Sequence, residues 1–599
     1  MTAARRPDPS SPSWGAKVLG GGRVRFRLWA PGVKALALRL GGSDRPMRRD
    51  ADGWFELVAD DVSPGAEYLF VLPDGRAVPD PASRAQAGDV HGPSLVVDPA
   101  AHDWTARDWT GRPWEEAVIY ELHVGTFTEE GTFAAAIGKL DHLVALGVTA
   151  VEVMPVAQFS GNRGWGYDGV LPYAPHSAYG GPDGLKRFVD AAHQRGLMVL
   201  LDVVYNHFGP DGNYISLYAP DFFRPQDHTP WGAAIAFDAE PVRRFFTENA
   251  LCWLEEYRLD GLRLDAIDHV ADDLLAEIGQ RVRARFPDRH VHLTTEDNRN
   301  VTVLHERGGD GTVTAYTAEW NDDFHSIAHV IATGETDGYF ADFKDDPTGK
   351  LARALAEGFA YQGEVSPQWE RPRGEPSAHL PPTAFVDFLQ NHDQVGNRAF
   401  GERLPALASP DMLRVLTSVL LLSPHIPLLF MGEEFAEDRP FLFFTDFHGE
   451  LAKAVTEGRR REFARFAAFG DGTRKIPDPN DPATFAASKL DWTKPGLGSG
   501  RLRFDLVRRL LALRREAIVP ALASASGNSG IIRAAADGLV AVDWTLGKAQ
   551  LQMRVNLSNG PRRAPALDVP LLHADPVETV VTLVDAVELP PFAIAVGFA

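Results

Sequence analysis

Between residues 114 and 431, short apolar runs alternate with amphipathic stretches, and several of the runs end beside a carboxylate. No other feature restricts the fold as much. A strand lying parallel to its predecessor needs a crossover of a dozen or more residues, usually a helix. Strand–helix alternation therefore specifies a parallel sheet. Candidate strands fall at 118–121, 150–154, 198–203, 262–265, 291–296, 313–318, 384–389 and 427–431. Helical periodicity appears between them, as at 184–193, 242–257 and 272–286. Eight strands, most of them apolar on both faces, suit a closed barrel better than an open sheet. The fold class read from the sequence is α/β: a (β/α)8 TIM barrel flanked by an N-terminal β-sandwich and a C-terminal all-β domain.

A chain of 599 residues exceeds what one core can hold, since cores stop growing near about 250–300 residues. Residues 1–106 carry alternating runs at 24–29, 35–40, 54–58 and 68–72, broken by Gly, Pro and Asp, and read as the sandwich. Within them 76–99 reads as a linker wrapping onto the next domain. Residues 107–520 form the barrel with loop insertions. Residues 521–599, with runs at 531–534, 539–544, 550–556, 577–585 and 592–598, form the terminal β-domain. The apolar stretch 415–431 is interrupted by Ser423, Pro424, His425 and Pro427, which makes it a helix, a turn and a strand and no membrane span.

Charge narrows the partners. Sixty Lys and Arg against 81 Asp and Glu leave a net charge of −21. Such a surface repels phosphate backbones and anionic lipid, so nucleic acid and membranes are poor partners, whereas a neutral sugar is not penalised. The single cysteine, Cys252, permits no intramolecular disulfide and reads as a buried thiol in a helix. The first 15 residues hold two arginines with no apolar segment behind them, so no secretory signal is expected and a cytoplasmic location is the reading.

Barrel enzymes place their chemistry at the C-terminal strand ends. There the chain carries Asp202-Val203-Val204-Tyr205-Asn206-His207, then Arg263-Leu264-Asp265-Ala266-Ile267-Asp268-His269, then Glu296-Asp297-Asn298, then Asn391-His392-Asp393-Gln394. Glycoside cleavage needs one carboxylate to attack the anomeric carbon and one protonated acid to serve the leaving oxygen. Arg263 lies two residues before Asp265, hence on the same strand face, where it would keep Asp265 ionised. Taken singly, each residue has a plainer reading. A carboxylate ending a strand is most often a helix cap or a surface charge. His123 reads as a hydrogen-bonded barrel residue, and the acid-rich stretch 337–346 as a solvated face. Asp202, His207 and His392 could form a metal site, although no HExxH pattern accompanies them. Four motifs in order on barrel strands outweigh the single readings.

Those four motifs resemble the signature regions of the α-amylase family, glycoside hydrolase family 13, and the resemblance extends over most of the chain. It implies that Asp265 is the nucleophile, Glu296 the general acid/base and Asp393 a third carboxylate binding sugar hydroxyls. It implies that Asp202, His207, Arg263 and His392 surround the sugar at the cleaved bond, with Tyr167 of Trp165-Gly166-Tyr167-Asp168-Gly169 stacking on it. Longer strings, among them Trp320-Asn321-Asp322-Asp323-Phe324-His325 and Thr229-Pro230-Trp231-Gly232, resemble family members that release trehalose from maltooligosyltrehalose. On that resemblance Trp320, Asn321, Asp322, Asp268, His269 and Gln394 are expected on substrate, with Trp320 and Phe324 as stacking faces. Asp268 departs from many members, which carry lysine there. The implied partners are maltooligosyltrehalose, maltooligosaccharide and trehalose, with no cofactor. Two rivals remain: a glycogen branching or debranching enzyme on the same barrel, and a barrel that only binds glucan.

Overall fold

The computed structural model describes residues 13–463, 475–577, 581–582 and 585–599. The sequence readings at 1–12, 464–474, 578–580 and 583–584 therefore lie outside the described residues. Eight parallel strands close into a barrel: β1 Ile119–Leu122, β2 Ala150–Val153, β3 Met198–Val203, β4 Gly261–Leu264, β5 His292–Thr295, β6 Ala318–Trp320, β7 Phe385–Phe388 and β8 Ile426–Phe430. Closure is made by β1 on β8, with Ile119 opposite Leu428.

Ile119, Ala150, Met198, Leu200, Ala318, Val386, Phe388, Ile426 and Leu428 pack together with Trp320 as one buried cluster. It forms an apolar floor, as a filled barrel requires. Side chains on a strand alternate faces, so Glu121, Glu152 and Asp202, two residues after Ile119, Ala150 and Leu200, point inward above that floor. Arg263 and Thr294 follow by register, because Asp202 pairs with Arg263 and Arg263 with Thr294. The barrel interior thus turns from apolar to ionisable as it rises towards the strand ends.

The sixth strand corrects the sequence reading. Residues 313–318 alternate like a strand, yet Val313 makes only an isolated bridge to Arg307 and pairing starts at Ala318. Tyr316 is spent on the neighbouring helix Asp272–Arg285, its hydroxyl donating to the Leu275 carbonyl at 3.0 Å. The stretch 337–346 is not wholly a solvated face either. Asp342 is buried, accepting from the Ser366 hydroxyl at 2.6 Å and the Gln368 amide at 2.8 Å.

Two small antiparallel sheets precede the barrel, one built around Arg23–Trp29 and Trp54–Ala59, the other around Ala37–Leu40 and Glu67–Val71. Segment 76–99 adds strands Ala77–Val78 and Ser94–Leu95 to the second sheet. It also reaches the barrel, where Arg84 meets Glu256 at 3.1 Å. Trp14 seals the junction. It packs edge-on against Trp29 and Trp54 on one side and Phe222 and Phe245 on the other. After the barrel come a five-stranded and a three-stranded sheet spanning Gly530–Ala536 to Ala593–Phe598. Cys252 is buried in helix Glu240–Glu256. No helix among the described residues is long and apolar enough to cross a membrane.

Candidate active site

The strand ends bring the carboxylates together around one guanidinium. Arg263 Nη1 donates to Asp202 Oδ2 at 2.6 Å and to Asp265 Oδ1 at 2.7 Å, and its Nη2 lies 3.3 Å from Glu296 Oε2. Its flat face lies 4.3 Å from the centre of the Trp320 ring. One buried cation, 2% exposed along its side chain, therefore serves three carboxylates. Sharing a single fork is the arrangement expected of closely spaced carboxyls, and a retaining glycosidase needs about 5–5.5 Å between its pair.

The backbone after the fourth strand is bent to make this possible. Ala266 sits in the left-handed region at φ 41°, a conformation that costs a non-glycine residue of order 1–3 kcal/mol. The bend turns the Ala266 amide onto Glu296 Oε2 at 2.8 Å. Meanwhile the Asp265 amide holds the Val203 carbonyl, and the Glu296 amide holds that of Leu264. Asn206 donates to Asp265 Oδ2 at 3.0 Å and to the Asp265 carbonyl at 2.9 Å, fixing the carboxylate from the side opposite Arg263. His207 bonds Asn206 in turn. Burial holds His207 near a pKa of about 4, so it is neutral at ordinary pH.

Glu296 differs from Asp265 in what surrounds it. Burial raises its pKa well above the usual carboxylate range; Arg263 opposes this, while Asp265, Asp322 and Asp393 add to it. A carboxyl kept protonated beside an arginine-bound carboxylate is the pairing that acid-assisted displacement requires. Asp202 is pushed up to about 6 by burial, with Arg263 opposing, and its Oδ2 also accepts from the Tyr167 hydroxyl at 2.5 Å. The Tyr167 ring stacks on His392 at 5.0 Å between centroids. Glu121 grips His392 at both its amide, 2.9 Å, and its Nδ1, 2.5 Å. Burial disfavours charge on His392, but Glu121 and Asp393 outweigh it and raise its pKa.

Asp393 projects into solvent from the short helix His392–Gly396, whose start Asn391 caps. Gln394 donates to Asp322 Oδ1 at 3.0 Å, which ties this helix to the sixth strand end. Burial and Asp393 push Asp322 up to about 6. Asp268 and His269 stand on the turn after Asp265, partly exposed, 3.7 Å apart.

Three expectations need correction. Trp320, Asn321 and Phe324 are not surfaces on which a sugar can lie. Trp320 is 2% exposed beneath Arg263, and Phe324 is fully buried. Asn321 is also fully buried, its side chain donating to Asp387 Oδ1 at 2.8 Å and capping helix Asp322–Thr333. In this string only Asp322 reaches the cleft. Asp202, His207 and His392 do not gather as a ligand set, since each is bonded to a different neighbour. The sequence reading carries Asn206 and Trp231 inside its motifs without a site role, and it does not single out Glu121. Trp231 is 45% exposed and stacks on His207 at 4.6 Å, with its edge towards His269 at 5.2 Å. It arrives on the hairpin Phe223–Thr229 and Gly232–Ile235. Nothing local in the sequence says that this hairpin reaches the third and fourth strand ends.

Comparison with known proteins agrees with this geometry. A family model described as the alpha amylase catalytic domain matches residues 100–228. A malto-oligosyltrehalose trehalohydrolase from Deinococcus radiodurans is 43% identical over 85% of this chain and 84% of its own length. One from Saccharolobus solfataricus is 41% identical over 78% of this chain and 82% of its own. A 1,4-alpha-glucan branching enzyme from Corynebacterium jeikeium is 32% identical over 51% of this chain and 46% of its own. A crystal structure called a putative alpha amylase, from Salmonella typhimurium, superposes with a TM-score of 0.95 at 54% identity, covering 98% of this chain and all of that one.

Proposed function

Because the chain belongs to the malto-oligosyltrehalose trehalohydrolase group of the alpha-amylase family, we propose that it hydrolyses the α-1,4 bond next to the terminal trehalose of maltooligosyltrehalose. The products are free trehalose and a maltooligosaccharide. Glu296 gives its proton to the departing trehalose oxygen as Asp265 attacks the anomeric carbon. The glycosidic bond breaks and an ester to Asp265 forms. Water then attacks the same carbon, Glu296 takes back a proton, and the ester opens with net retention. Asp393, His207, His392 and Tyr167 face the sugar at the cleaved bond, and Asp202, buried behind them, holds Arg263 and the Tyr167 hydroxyl. Trp231, Asp268 and His269 line the side where trehalose leaves. A cytoplasmic place and a part in trehalose formation go with this reading.

The observation that carries the chemistry is the asymmetry of the pair. Both carboxyls share Arg263 and each has one further donor, Asn206 on Asp265 and the Ala266 amide on Glu296. Yet Arg263 lies 2.7 Å from Asp265 against 3.3 Å from Glu296, while burial and neighbouring carboxylates raise the Glu296 pKa well above the usual range. The test is chromatography of products from maltooligosyltrehalose, maltooligosaccharide and glycogen in parallel. Trehalose released fastest from the first supports the proposal. New α-1,6 branches, or linear chains freed from glycogen, would reassign the enzyme to branching or debranching. Tight glucan binding without turnover on any substrate would make it a binding protein.

A further inference from the structure

Beneath the catalytic pair lies a carboxylate that the proposed mechanism does not use. Glu152, on β2, is 1% exposed, and neither of its side-chain oxygens has a hydrogen-bond partner. It is not alone. Asp202 Oδ1, Arg263 Nε, Thr294 Oγ1 and Trp320 Nε1 are also buried without partners. All five side chains come from consecutive barrel strands, β2 to β6, at the level where the interior turns from apolar to ionisable. Two donors, one acceptor and two groups able to do either around one interior are what a buried water needs, since such waters make about three bonds to otherwise unsatisfied groups. Left bare, each would carry the full desolvation penalty of a hydrogen bond not made.

We infer that Glu152 is a positioning residue for the catalytic pair, acting through buried water on the inner edge of the Arg263 guanidinium. The inference rests on the reaction proposed above. Arg263 can bridge Asp202, Asp265 and Glu296 only while its plane keeps one orientation, and Nε is the one nitrogen not already engaged by a carboxylate. A partner at Nε fixes that plane from below.

Glu152 does this as an un-ionised acid. The charged groups around it are Glu121 on β1, Asp202 on β3 and Arg263 on β4; burial lifts its pKa far above the usual carboxylate range, Asp202 and Glu121 add to this, and Arg263 opposes. Glu121 is already committed to His392, and beyond Arg263 stand Asp265 and Glu296. Charge on Glu152 would draw the guanidinium down and away from the reacting carboxylates; a neutral carboxyl can donate and accept without doing so.

The test compares Glu152→Met with Glu152→Gln on whichever α-glucan the wild-type enzyme cleaves, so a wrong substrate is exposed by the wild type alone. Methionine fills the space without polar atoms. It is expected to lower kcat by roughly 10²-fold, as small misplacements at a reacting centre do, with KM little changed. Glutamine keeps both polar ends and recovers most of the loss. Its alkaline pH limb stays where the wild type has it. If Glu152 were ionised, its removal would lower the Glu296 pKa and move that limb to lower pH. A methionine variant with wild-type kcat, a glutamine variant that recovers nothing, or such a shift would each overturn the inference. Should the methionine variant not fold, infrared difference spectra of wild type against Glu152→Gln decide at neutral pH. Loss of a protonated-carboxyl band supports the inference, and loss of a carboxylate band refutes it.

Discussion

Replacing Arg263 by glutamine puts the central electrostatic claim at risk. The guanidinium is 2% exposed and serves Asp202 at 2.6 Å, Asp265 at 2.7 Å and Glu296 at 3.3 Å. Glutamine is shorter, neutral and able to reach one of them. Removing one partner from a buried ion pair costs about 3–5 kcal/mol, because the remaining charge stays in place without compensation. Here the stranded charges are chiefly Asp202 and Asp265, 2% and 13% exposed. Near neutral pH the expected loss lies in that range, a drop in Tm of several degrees.

The pH dependence gives the sharper check. Asp202 titrates at about 6 with Arg263 pulling it down, so without Arg263 it takes up its proton at still higher pH. Its folded-state pKa lies above its unfolded value. The folded variant therefore binds the proton more readily than the unfolded chain, and stability falls as pH rises through that window. The deficit against wild type should accordingly be largest at pH 7 to 8 and shrink as pH drops towards 5. Calorimetric scans of both proteins across that range measure it. Over the same range kcat should be lower by roughly 10²–10³, the usual cost of removing an oriented electrostatic donor. A deficit independent of pH, or a variant as stable as wild type at pH 7, would refute the account of Arg263 as the shared counter-ion.

Three further outcomes follow. Glu296→Gln should reduce kcat on the natural glycoside by about 10²–10⁴, with a much smaller loss on an activated aryl glycoside whose leaving group needs no proton; equal losses on both would remove Glu296 from the acid role. Tyr167→Phe keeps the ring on His392 but removes the hydroxyl donated to Asp202 at 2.5 Å, a charge-assisted bond worth about 1.5–3 kcal/mol. It should lower kcat/KM at least tenfold, and an unchanged value in steady-state kinetics would count against Asp202 being held this way. Trp14→Ala empties the aromatic junction between the N-terminal sheets and the barrel, where Trp14 is 1% exposed. A buried Trp→Ala costs about 3–5 kcal/mol, so thermal unfolding of the N-terminal unit should come early while kcat below that temperature stays at the wild-type value.

The alternation of apolar runs and helices was enough, without any structure, to place a parallel barrel between two β-rich ends, because strand and helix periods are local properties of the chain. The carboxylates at strand ends were legible for the same reason. Asp202, Arg263 and Asp265 face inward by a count of two along a strand, and Glu296 follows the next strand in the same way. Contacts that join residues far apart in the chain were not legible. The pattern at 313–318 looks like a strand, but Tyr316 is claimed by helix Asp272–Arg285, and pairing with β5 begins only at Ala318. Trp320 and Asn321 carry the chemistry of sugar contacts, yet packing under Arg263 and bonding to Asp387 bury them. Trp231 reaches His207 only because a hairpin folds across the strand ends. Glu152 reads in sequence as one more charge on an apolar run. Closure of the barrel seals it beneath the catalytic pair, because the inner faces of strands distant in sequence become one wall only when the first strand meets the eighth.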